Sequence, residues 1–114
     1  MPMLLKLATA LSITSTGAQA GVRLDKTPFL GGQGHEALLY LDAPVGGSGV
    51  VKIQGHNSDS ATAPASGDAG WFDILSLTSA STLSNEIADL PQWIRVNPTT
   101  AGTGTVTVTL EGVQ

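Results

Sequence analysis

Five residues carry the side chains best suited to holding a metal: His35, Glu36, His56, Asp59 and Asp68. Zinc takes three or four such ligands on a rigid frame. The two histidines stand about twenty positions apart in glycine-rich surroundings, so their spacing predicts solvated loop polars and no zinc site. Asp42, Asp59 and Asp68 could supply oxygens to calcium, but the alternating acidic loop that calcium binding uses is absent. Nucleophilic catalysis is no better served. There is no cysteine, and no serine sits in a GxSxG elbow. Glycoside chemistry would need Glu36, Glu86 or Glu111 beside an aspartate in a cleft, and nothing in the sequence places them together. Gly31-Gly32-Gln33-Gly34 lacks the Lys-Ser/Thr that completes a phosphate loop. The expectation is a chain with no catalytic residue, no cofactor and no metal.

Trp71 and Trp93 are the remaining side chains of functional interest. Tryptophan stacks on sugars or anchors interfaces when exposed. Both stand at the starts of apolar runs, where packing in a core or against a subunit is expected.

The elements that must position these residues are short strands. Thr105 to Glu111 alternates strictly, with Val106, Val108 and Leu110 on one face and Thr105, Thr107, Thr109 and Glu111 on the other. Six further strands are predicted: 4–15, 21–24, 36–42, 49–54, 71–78 and 92–97. In the first, Leu5, Leu7, Thr9, Leu11 and Ile13 share a face. The third is apolar on both faces, which predicts a central position. The Asn97-Pro98 step is expected to end the sixth. Ser84 to Leu90 reads as one helical turn capped by Ser84. Residues 55–70 form a long loop without periodicity. The fold expected is all-β: a single domain over 1–114, an antiparallel β-sandwich or jelly roll, with residues 1–20 as an extended N-terminal strand or arm.

Composition agrees. The 114 residues suit one domain. Hydrophobic residues make up 41%, aromatics only 4%, so Leu, Ile, Val and Ala must fill the core. Charged residues are 12%, about half the usual share, which suggests a surface partly covered by neighbours. A net charge of −4 with five Lys and Arg supplies no basic stripe, so nucleic acid is not an expected partner. No stretch is long enough for a membrane-spanning helix. Lys6, an apolar run and Ala18-Gln19-Ala20 resemble a secretory signal, but Lys6 interrupts the apolar region instead of preceding it, and a strand is the better reading.

Three C-terminal stretches look like small virion proteins of tailed bacteriophages. They are Gly70-Trp71-Phe72-Asp73-Ile74-Leu75-Ser76-Leu77-Thr78, then Glu86 to Asn97 (EIADLPQWIRVN), then Gly102 to Gly112 (GTGTVTVTLEG). The pattern is similar to that of head decoration, or cement, proteins. The resemblance implies a non-enzymatic protein on the outer surface of the capsid, assembled in the host cytoplasm, often a homotrimer, with the major capsid protein as partner. Contacts are expected from Met3, Leu4, Leu5 and Lys6 of the N-terminal arm, then Phe29, Leu30, Trp71 and Trp93. Two alternatives stay open: a tail- or fibre-associated virion module, and a secreted carbohydrate-binding β-sandwich. The second rests on the signal-like start and the two tryptophans.

Overall fold

The computed structural model describes residues 3–24 and 36–112. Among the described residues eight strands form two antiparallel four-stranded sheets. They are β1 (Met3–Ser12), β2 (Val22–Arg23), β3 (Ala37–Leu41), β4 (Val50–His56), β5 (Phe72–Leu77), β6 (Ser84–Ile87), β7 (Trp93–Thr100) and β8 (Thr105–Gly112). Sheet A has the order β1-β8-β3-β6 and sheet B the order β2-β7-β4-β5. The pairs β1·β8, β2·β7, β3·β6 and β4·β5 are all antiparallel. The chain is therefore one long hairpin rolled up on itself, and contacts β8·β3 and β7·β4 close the roll. This is the jelly-roll arrangement of a β-sandwich.

Alternation builds the core. Ala37, Leu39 and Leu41 of β3 and Val106, Val108 and Leu110 of β8 point inward from sheet A. Val51 and Ile53 of β4 and Ile94 and Val96 of β7 meet them from sheet B. Ile13, Leu24, Val45 and Leu90 are buried beside the strand ends. At one end of the sandwich two turns touch backbone to backbone. Gly46 pairs with Thr103, whose N–H donates to the Gly46 carbonyl at 3.1 Å. A β-carbon on Gly46 would lie 2.3 Å from the Thr103 carbonyl oxygen, so only glycine fits.

Three sequence expectations need correction. Ser84 to Ile87 is a strand, not a helical turn: it pairs with β3 from Ala37↔Ile87 to Tyr40↔Ser84. Strand β7 does not stop at Asn97 but runs through Pro98 to Thr100. Pro98 opposes Val51 where the register shifts between Val50 and Val51, and such an irregularity tolerates a residue without an N–H. The face predicted for β1 also breaks. Leu7 and Ile13 are buried, but Thr9 is exposed, because two register shifts against β8 reset the alternation. Ala10 sits in that irregular part with φ of 46°, a left-handed conformation, and its N–H is caught by Thr107 Oγ1 at 2.9 Å.

Candidate functional site

Strand β4 extends two residues past its expected end, taking in Gly55 and His56, so the long loop spans 57–71. It lies over the outer face of sheet B. The residues beneath it alternate with the core positions: Gln54 and His56 on β4, Trp93, Arg95 and Asn97 on β7. Covering explains why Trp93, Ile94, Arg95 and Val96 are all buried in succession.

Arg95 is the hub, only 6% exposed. Its Nε donates to Gln54 Oε1 at 2.9 Å and its Nη1 to the Ser66 carbonyl at 3.0 Å. Its guanidinium stacks 4.1 Å from the ring centroid of Trp71. Asn97 Nδ2 donates to the same Gln54 oxygen at 3.0 Å. Burial lowers the Arg95 pKa from the usual arginine value.

His56 ties both ends of the loop. Its Nδ1 accepts the Ser58 N–H at 3.1 Å, which leaves the proton on Nε2 to be donated to Asp68 Oδ1 at 2.9 Å. Asp68 Oδ1 also accepts the Gly70 N–H at 2.7 Å. These bonds, led by that from His56, hold the Asp68 pKa below the ordinary value. The His56 ring meets Trp71 edge-on at 5.2 Å, and Trp71 Nε1 donates to the Ala65 carbonyl at 2.9 Å. Alongside, Asp73 accepts from Gln54 Nε2 at 2.8 Å and from Lys52 Nζ at 2.7 Å. Both bonds, that from Gln54 first, depress the Asp73 pKa. Arg23 reaches the Ser60 carbonyl and stands 5.8 Å over the Trp93 ring.

Of the residues weighed for metal binding, the fold joins His56 to Asp68. Among the described residues no group of three or more His, Asp or Glu could hold a metal ion. His35 lies outside the described residues. The sequence offered no sign that Arg95, Gln54 and Asn97 would act together. The signal that existed was the spacing of Trp93, Arg95 and Asn97 at every second position of a strand.

The residues expected to make contacts are divided. Trp93 is 5% exposed and Trp71 is half-buried, so both spend much of their surface within their own domain. Phe29 and Leu30 lie outside the described residues. Leu4 is 65% exposed, Lys6 is exposed and Leu5 half-buried. The arm that carries them is extended but docked, in unbroken register with β8 from Met3↔Gly112 to Lys6↔Thr109. Among the described residues its other edge has no strand beside it, β1 being the outermost strand of sheet A.

The chain matches no protein-family model, no curated protein and no solved structure.

Proposed function

We propose that this protein is a structural component of a tailed-bacteriophage particle that binds the outer surface of the head and stabilises contacts between neighbouring capsomers. The observation that carries the reading is the open edge of β1. Ten residues long, it begins with a regular stretch, Met3 to Lys6, in which Leu4 is exposed. An extended segment of the major capsid protein can add to such an edge through main-chain hydrogen bonds. The other outermost strands are shorter templates: β2 has two residues, β6 four and β5 six, against ten in β1, whose two register shifts lie beyond Lys6.

Two further points support it. The stretches that resemble decoration proteins cover β5 and β8 and parts of β6 and β7, in the second arm of the rolled hairpin. The side chains with chemical potential, His56, Asp68 and Arg95, are engaged in pinning a loop. Fold alone assigns no function, so these weigh as support for the site-level argument. A homotrimer belongs to the same reading, because several weak contacts on one preassembled oligomer act together. The carbohydrate alternative needs a free indole face, and Trp71 is stacked by Arg95 while Trp93 is buried.

The test uses heads of the phage that encodes the chain, prepared with and without it. Decorated heads are expected to retain DNA to a higher temperature. Equal stability, or imaging that places the protein on the tail, overturns the proposal.

A further inference from the structure

The two outer faces of the sandwich differ. That of sheet B is covered by the chain's own loop 57–71, through Arg95, Trp71 and Arg23. That of sheet A has no such cover among the described residues. One row across it runs Leu4–Glu111–Leu38–Glu86, each directly opposite the next on β1, β8, β3 and β6. The next row runs Lys6–Thr109–Tyr40–Ser84. Directly opposed residues share a face. Leu38 thus stands between Glu111 and Glu86, on strands about 10 Å apart, two strand spacings. Neither Glu86 nor Glu111 has an ion-pair partner among the described residues.

We infer that this face docks on an electropositive protein surface, with Leu38 and Tyr40 against apolar groups and Lys or Arg side chains beside Glu111 and Glu86. The inference rests on the head-surface reading above and names the part of the shell that is met. Charge selects the occupant. A second copy of this chain would bring the same two glutamates and, on this face, one cation, Lys6. Elsewhere among the described residues Lys52 is paired with Asp73, Arg95 is buried and Arg23 is bonded to Ser60. Self-docking would set like charges together, which is costly when desolvated. A basic shell surface pairs both glutamates, and the trimer contact falls on another face.

Sedimentation of the purified chain with heads lacking it, at graded salt, provides the test. Parent binding is expected to weaken as salt rises. The double variant E86Q/E111Q should bind at least about tenfold more weakly. The charge-matched D59N/D89N, altered at exposed positions elsewhere, should bind like the parent. All three should melt alike, since the substituted carboxylates make no ion pair. Salt-independent parent binding, or E86Q/E111Q binding at parental strength, overturns the inference and leaves the head-surface role standing. A parent chain that does not bind heads overturns that role, and this inference with it.

Discussion

The guanidinium of Arg95 sits over the ring of Trp71, 4.1 Å from its centroid, and the same group holds the Ser66 carbonyl. One side chain on a central strand thereby fixes two points of a fifteen-residue loop (57–71) whose sequence has no regular pattern. The loop's other anchors are Arg23 on the Ser60 carbonyl, His56 on Ser58 and Asp68, and local bonds in which the Ser60 and Thr62 N–H groups donate to Ser58 Oγ and Ser60 Oγ.

Replacing Arg95 should therefore release the loop. R95A loses two hydrogen bonds and the stack, and should cost about 2–4 kcal/mol in urea unfolding. R95K keeps the charge but not the planar fork, and should fall between parent and alanine. Cleavage by a protease within 57–71 should accelerate in R95A well below its unfolding midpoint. Parental resistance in R95A would show that the loop is held by other means.

Acid should loosen the same face. The folded-state pKa values of Asp68 and Asp73 are depressed below the ordinary 3.8 by their hydrogen bonds. A depressed carboxylate contributes stability that is present above the unfolded pKa and lost as pH falls through the folded one. Stability should thus be flat from neutrality to about pH 5 and decline below about pH 4. In D68N/D73N that decline should be shallower. Melting temperature against pH reads the difference directly; an unchanged slope in the variant refutes the assignment.

Gly46 should not accept a side chain. G46A drives a β-carbon into the Thr103 carbonyl and should cost about 1–3 kcal/mol, through separation of the two turns. G67A, where a β-carbon meets nothing within 4 Å, is the matched control and should stay within about 0.5 kcal/mol of the parent. Thermal unfolding of the pair separates a steric cause from a general intolerance of alanine.

Core truncation should be far more damaging than edge substitution. L39A removes a fully buried side chain between the sheets and should cost about 2–5 kcal/mol. L4K, at a position 65% exposed, should leave stability within about 0.5 kcal/mol yet weaken attachment to heads. Undiminished attachment by L4K would remove the β1 edge from the contact.

Legibility in the sequence followed burial. Strand β8 has one face in the core and one outside, and its alternation marked every residue correctly. Strand β3 is apolar on both faces and is indeed interior, between β8 and β6. Strand β6 was missed because it is a four-residue edge with Ile87 as its single buried side chain, too little for a period to register. Ser84 and Glu86, residues suited to a helix start, are there because an edge strand leaves them in solvent. In β1 the irregularities reset the count, so Thr9, placed by alternation with Leu7 and Ile13, came out exposed. The Arg95 cluster was hidden for a different reason. Its partners come from two strands and a loop far apart in the chain, and only tertiary contact makes them a unit.

Strand β8, the last among the described residues, is an interior one. Until β8 emerges, β1 and β3 have no neighbour between them, and Met3 must await Gly112, across nearly the whole length of the chain. Closing so wide a loop is slow, and it leaves Leu5, Leu7 and Leu39 open to solvent during synthesis. A chain cut short before residue 105 lacks the strand that joins β1 to β3 and keeps these leucines in water.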